Sequence, residues 1–266
     1  GVLLVLIMVL GFGGGSALAL WLCGTISPWL AWGVEVWFTY QLLSARDLQV
    51  ESMAVYTPLK AGDLEGARKA VSRIVGRDTS VLDEAGVTRA AVETVAENTC
   101  DGVISPLLFL FLGGLPLGMA LKAVSTLDSM VGYRTPTYQY FGTAAAKLDD
   151  LCQFLPARLT GLLLCMGAAL LPGCSGRRAW QTFRRDRKKH ASPNSAHGEA
   201  ACAGALGIQL AGDAQYFGKV VSKPTLGDPV RPVEPEDIPR ACRLMYAAQG
   251  LALAGLAGIT ALLELL

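Results

Sequence analysis

The sequence predicts an all-α, polytopic integral membrane protein in which amphipathic helical segments lie between apolar helices. Three observations carry this. Hydrophobic residues make up 52% of the 266 positions and charged residues only 17%, where a soluble domain carries about 25% charge. Several stretches with little or no charge are long enough for a hydrocarbon core of ~30 Å. No stretch alternates apolar and polar residues with the period of a strand, so no sheet is expected.

The elements follow in order. Residues 2–22 carry no charge, and residues 27–44 carry only Glu35, with Trp29, Trp32, Trp37 and Tyr40 suited to a membrane interface. Together they predict an N-terminal membrane hairpin over residues 1–46. The first stretch lacks the basic flank of a signal peptide. The chain starts with Gly1 rather than Met, so a truncated N-terminus is expected. Residues 47–246 are read as a catalytic helical region. Within it, "LEGARKAVSRIV" puts Leu64, Ala67, Val71 and Ile74 on one stripe, and Leu82, Val87, Ala90, Ala91, Thr94 and Val95 recur at near-helical spacing. "VGRDTS" between them predicts a turn, with Asp78 or Thr79 as the helix N-cap.

Residues 103–124 are apolar but broken near their middle by "GGLPLG", where Pro116 removes a backbone donor. A re-entrant helical hairpin is expected there, with a kinked spanning helix as the alternative. Residues 151–171 form a further apolar segment with Arg158 near its start, and residues 247–266 a C-terminal membrane helix. Residues 177–189 hold seven basic residues against one acid, Asp186, a face suited to anionic lipid or to a substrate. Five prolines in residues 223–239 predict an extended surface loop.

Some function classes fall away. The net charge of +1 gives no argument for nucleic acid, and the seven cysteines form no CxxC pair, which fits a reduced, cytoplasm-facing protein. No dinucleotide fingerprint is present, and "GDAQYFGKV" lacks the spacing of a phosphate-binding loop.

Four polar clusters remain. "ENTCDGVISPL" brings Glu97, Asn98 and Asp101 to the mouth of an apolar run. Arg89, Glu93 and Glu97 share one helix face, so an Arg89–Glu93 pair would leave Glu97 available; the plainer reading makes Asn98 or Asp101 a helix cap. "STLDSMVGYRTPTYQYFG" offers Asp128, Tyr133 and Arg134. "KLDDLCQFLPARLTG" offers Lys147, Asp149, Asp150 and Arg158. Adjacent carboxylates repel, a cost offset by a cation such as Mg²⁺ or by arginine, unless both are simply solvated at a helix start. "HASPNSAHGEAACAGALGIQLAG" has a Ser192–Pro193–Asn194 turn able to cap a helix starting near Glu199, followed by small residues that allow close packing. His190 and His197 lack zinc-site spacing, and no structural metal is expected.

"VGRDTSVLD…RAAVETVAENTCDGVISPL", "STLDSMVGYR", "FGTAAAKLDDLCQFLPARLTG" and "SPNSAHGEAACAGALGIQLAG" occur in order, and with them the chain resembles the CbiB family, the adenosylcobinamide-phosphate synthases of cobalamin biosynthesis. The resemblance covers roughly residues 46–227. Ser125, Arg134, Lys147, Gln153, Ala196 and His197 depart from the family's usual residues, and its N-terminal Asp-Pro and His-Pro segment is absent.

The resemblance implies a membrane enzyme that joins the free propionate of adenosylcobyric acid to (R)-1-amino-2-propanol phosphate, or an ethanolamine phosphate equivalent. A carboxylate and an ammonium do not condense spontaneously in water, so ATP and Mg²⁺ are implied, the acid passing through an acyl phosphate. Glu97, Asp101, Asp128, Asp149 and Asp150 are then the catalytic candidates, the last three as Mg²⁺ ligands. Arg77, Asn98, Tyr133, Arg134, Lys147, Arg158, Ser192 and Asn194 are candidates for holding substrate and phosphate. The expected setting is the lipid bilayer of the inner cell membrane with the active site on the cytoplasmic side, in association with other late cobalamin enzymes and without nucleic acid. A small-solute transporter and another Mg²⁺-dependent transferase of phospho-alcohols are the rival readings. Transport would bring internal repeats and several charges deep within spans; no convincing repeat is present, and most acids lie at segment edges.

Overall fold

A computed structural model describes residues 1–132, 140–216 and 218–265. The helices are α1 (Val2–Ile26), α2 (Pro28–Leu42), α3 (Ala45–Lys60), α4 (Leu64–Val71), α5 (Glu84–Thr99), α6 (Ser105–Val131), α7 (Thr143–Cys152), α8 (Phe154–Leu170), α9 (Gly176–Asp186), α10 (Ala196–Leu206) and α11 (Asp237–Glu264), with a π-helical turn, Cys100–Ile104, ahead of α6. Helix dominates, as expected. The expectation of no strands fails locally, because residues 210–226 hold four short ones. β1 (Leu210–Ala211) pairs antiparallel with β4 (Thr225–Leu226), and β2 (Ala214–Tyr216) with β3 (Lys219–Val221). Strands this short carry no readable alternation; their anchors lie elsewhere in the chain.

Among the described residues, three helical runs are long and apolar enough to cross a membrane: Val2–Ile26, Glu84–Val131 and Asp237–Glu264. On α1 and α2, Trp21, Trp29, Trp32, Trp37 and Tyr40 are all exposed, an arrangement that suits lipid rather than water. The chain falls into two compact units, Gly1–Ser44 with Asp101–Pro156, and Ala45–Cys100 with Ala157–Leu266.

In the first unit α1 lies along the later part of α6, where Val5 packs with Leu127 and Ala145. The α6 backbone leaves helical geometry at Gly113 (φ −149°) and Gly114 (φ 60°, ψ −160°), the latter a region open essentially to glycine alone. A methyl group placed on Gly118 would stand 2.9 Å from Leu110 Cδ2 and 2.9 Å from Leu42 Cδ1. Residues eight apart in a continuous helix are separated by ~12 Å along the axis, beyond the reach of a leucine. The two halves of α6 therefore fold back toward each other at the expected break. Glu35, the lone charge of α2, places Oε1 beside that break, 3.8 Å from where a Gly114 Cβ would be.

In the second unit α5 is buried on nearly every side and packs on α3, α10 and α11. Its N-cap is Asp83, whose carboxylate accepts from the Gly86 amide at 2.7 Å, not Asp78 or Thr79. Asp78 is engaged instead with the β2–β3 hairpin: its amide donates to Gln215 O at 2.9 Å and its Oδ2 accepts from the Gly218 amide at 2.8 Å. α11 begins at Asp237, inside the proline-rich stretch, with Pro239 in its first turn where a missing N–H costs nothing. Arg231 and Arg240 both pair with the buried Asp237. The first half of α11 is buried, whereas Leu253, Ile259, Leu262 and Leu263 beyond it are exposed.

Helix α9 explains the basic run. Ala179, Thr182, Phe183 and Asp186 face inward, while Arg184 lies over the Trp180 ring and Arg187 over the Phe183 ring. Asp186 is fully buried. It accepts from Arg185 Nε and Nη2 at 2.8 Å each, from Lys189 Nζ at 2.7 Å and from the Gly227 amide at 2.9 Å. Burial alone would push its carboxyl up; these hydrogen bonds outweigh burial and hold it well below the usual carboxylate range.

Candidate active site

The expected site residues fall into one polar set in each unit. Tyr133 and Arg134 lie outside the described residues.

In the first unit, Asp128 stands on the last turns of α6, and Asp149 and Asp150 on α7. Asp149 feels the negative charge of both neighbours. One turn further along, Gln153 Oε1 accepts from Ser105 at the start of α6. One carboxylate oxygen, Asp149 Oδ1, is buried without a hydrogen-bond partner. A buried acceptor beside two further carboxylates is a set of hard oxygen donors, and that fits Mg²⁺. Among the described residues, no three His, Cys, Asp or Glu side chains converge as a ready-made cage. Mg²⁺ is commonly held by only one or two carboxylates together with phosphate oxygens. Asp101 sits in the π-helical turn, a distortion often found at functional sites. Lys147 is exposed.

In the second unit the centre is Glu93. Its Oε2 takes the Arg77 guanidinium, and its Oε1 accepts the Ala211 amide at 2.7 Å. The expected Arg89–Glu93 pairing does not occur; burial draws in the cation sixteen residues upstream instead. Arg77, expected on a phosphate, thus lies on Glu93. Asn98 is not a cap either: its Nδ2 donates back to Thr94 O at 3.0 Å, and α6 has no side-chain cap. Glu97 is half-buried one turn beyond Glu93.

Helix α10 crosses α5 at backbone contact. A Cβ on Gly198 would meet the Ala96 carbonyl oxygen at 2.5 Å, which is why this helix is built from small residues. It starts at Ala196 with Ser195 as N-cap, not near Glu199 with a Ser192 or Asn194 cap. The Ser192 hydroxyl accepts from the Asn194 amide at 3.2 Å, and the Ser192 amide donates to His190 Nδ1 at 3.0 Å. That bond puts the proton of the neutral ring on Nε2. Burial pushes His190 below its ordinary value, against the pull of Glu97.

Two groups on α10 were not among the expected site residues. Glu199 is only 7% exposed, and its Oε2 has no hydrogen-bond partner. Burial first, then the charges of Glu97 and Glu93, raise its carboxyl well above the ordinary value. His197 is 1% exposed; its Nδ1 meets Asn194 O at 3.2 Å, and its Nε2 has no partner. Burial and then Arg158 lower its pKa to about 4. Arg158 Nη1 donates to Asn194 Oδ1 at 3.4 Å, a long contact. A glutamate inside the run "HGEAACAGAL" was the available signal, since a charge among small buried residues needs a partner or a task.

The family model described as "CobD/Cbib protein" matches residues 1–245. "Cobalamin biosynthesis protein CobD" of Klebsiella pneumoniae is 55% identical over 234 residues, 88% of this chain and 73% of that protein. "Cobalamin biosynthesis protein CbiB" of Salmonella typhimurium is 53% identical over 229 residues, 86% of this chain and 72% of that protein. "Cobalamin biosynthesis protein CobD" of Geobacter metallireducens is 50% identical over 252 residues, 94% of this chain and 79% of that protein. No solved structure matches.

Proposed function

Because this chain belongs to the CobD/CbiB family, we propose that it acts in cobalamin biosynthesis as an adenosylcobinamide-phosphate synthase, an ATP-dependent ligase. It forms the amide between adenosylcobyric acid and (R)-1-amino-2-propanol phosphate or an ethanolamine phosphate equivalent. The observation that supports this most is the unpartnered, buried Asp149 Oδ1 beside Asp128 and Asp150. Carboxylates gathered at such a point suit chemistry on polyphosphate, which carries divalent cations with it.

Asp128, Asp149 and Asp150 would hold Mg²⁺, and the ion supplies neutralising charge for phosphate oxygens. The chain's own groups set the rest. Ser105 holds the Gln153 side chain one turn beyond Asp149. In the second unit Arg77 and the Ala211 amide fix Glu93, and the charges of Glu97 and Glu93 act on Glu199. Arg158, on α8, and Asn194 are suited to a phosphate, Arg158 by its planar fork of donors. The setting is the inner cell membrane with the site on the cytoplasmic side, where ATP and the corrinoid meet it, alongside other late cobalamin enzymes.

The test is purified protein with adenosylcobyric acid, ATP, Mg²⁺ and either amino alcohol phosphate, followed by mass spectrometry of the corrinoid. Amide product that depends on each component supports the reading. Unchanged corrinoid with folded protein refutes it.

A further inference from the structure

The second unit's polar set has two ends of opposite sign. Around His197, the cations Arg158, Arg187 and Lys188 all disfavour protonation of the ring. Around Glu199, two residues further along α10, the carboxylates Glu97 and Glu93 dominate, with Lys223 and Arg77 opposing them. His190 feels the opposed charges of Glu97 and Lys223. An amino alcohol phosphate is a zwitterion with the same polarity, a phosphate at one end and an ammonium at the other. Glu199 Oε2 is buried and unpartnered, so the protein itself leaves that acceptor for something else.

We propose that the amine substrate docks across the first turns of α10, its phosphate toward Arg158, Arg187 and Lys188 and its ammonium on Glu97 and Glu199, and that Glu199 is the base that takes the ammonium proton. This rests on the amide-forming reading above and adds the residue that activates the nucleophile. Burial and the neighbouring carboxylates favour the neutral form of Glu199. The arriving ammonium supplies positive charge that lets it ionise, its proton passing to solvent. The ammonium then gives one proton to the Glu199 carboxylate and becomes a free amine. Its nitrogen forms the new N–C bond as the acyl C–O bond to phosphate breaks, and its second proton leaves with the phosphate. General-base assistance of this kind is worth about 10²–10⁴-fold.

Hydroxylamine separates this step from acid activation, because it is already uncharged at neutral pH and needs no base. The experiment compares wild type and Glu199→Gln, each with adenosylcobyric acid, ATP and Mg²⁺, and with either aminopropanol phosphate or hydroxylamine. The expected result is a loss of amide formation of at least ~100-fold in the variant, with hydroxamate formation held within a few-fold. Equal loss of both, or full amide turnover, overturns the assignment of Glu199. Wild type that forms neither product refutes the amide-forming reading itself. Should Glu199→Gln not fold, Glu199→Asp, which keeps a carboxylate but draws it back by one methylene, takes its place: amide formation should fall while hydroxamate formation is spared, and equal effects on both overturn the proposal.

Discussion

Ala211 donates its amide hydrogen to Glu93 Oε1 at 2.7 Å from a left-handed backbone, φ 58°. It is the one non-glycine residue with positive φ among the described residues, a conformation costing on the order of 1–3 kcal/mol. The strain persists because the other oxygen of Glu93 is held by Arg77, and the two side chains are only 12% and 14% exposed.

Removing Glu93 should therefore be costly. Glu93→Ala leaves Arg77 buried without a counter-charge and the Ala211 amide without its acceptor. The expected loss of unfolding free energy is about 3–5 kcal/mol, read by denaturant titration in detergent. A loss below about 1 kcal/mol, the range of a solvated pair, would contradict the buried-anchor account.

The buried His197 should cost the second unit stability in mild acid. The pKa of His197 is lowered from the ordinary 6.5 to about 4 by burial and by Arg158. Between those values the unfolded chain binds a proton that the folded chain refuses. The contribution is thus whole above pH 6.5 and is lost as the pH falls toward 4. Asp186 adds to this at lower pH, because its depressed carboxyl contributes stability that is lost only as the pH falls through its folded value. The raised carboxyl of Glu199 works in the opposite sense, gaining stability as the pH falls, so the effect is read as a difference: the wild type should lose stability relative to His197→Gln as the pH is lowered from neutrality toward 5. A difference between the two that stays constant over that range would contradict it.

Asp149→Asn should lower corrinoid conversion by more than ~10–100-fold, the range that even the outer partners of a metal ligand command. It should also weaken the stabilisation of the folded protein by Mg²⁺, measured as a melting shift against Mg²⁺ concentration. An Asp149→Asn protein with wild-type turnover and an unchanged Mg²⁺ shift would remove this carboxylate from the metal assignment.

The folded-back α6 makes a topological claim. If residues 105–131 enter and leave the bilayer on one side, cysteines at positions 101 and 126, both reachable by solvent, should react in a thiol-free background with an impermeant reagent from the same face. Labelling from opposite faces would replace the hairpin with a kinked span.

Part of this was legible in the sequence. The apolar runs, their exposed tryptophans and the break at Gly113 and Gly114 could be read because each follows from local chemistry: hydropathy, interface preference, and a backbone only glycine adopts. Contacts between distant positions could not. Spacing along one helix favoured Arg89 as the partner of Glu93, yet burial selected Arg77 from the preceding loop. Asp78 has the composition of an N-cap, but its carboxylate and amide hold the β2–β3 hairpin instead, and that anchoring creates strands no alternation announced. Type and proximity single out Asp128, Asp149 and Asp150 in the sequence, whereas Glu199 stands among alanine and glycine and offers no such pattern.

The most direct measurement uses adenosylcobyric acid carrying ¹⁸O in its free propionate, with ATP, Mg²⁺ and aminopropanol phosphate, following corrinoid and phosphate by mass spectrometry. The account predicts that the corrinoid gains the amino alcohol phosphate and that one ¹⁸O appears in inorganic phosphate for each amide formed. A corrinoid that stays unmodified in the presence of folded protein, or amide formed with no ¹⁸O in phosphate, would contradict it.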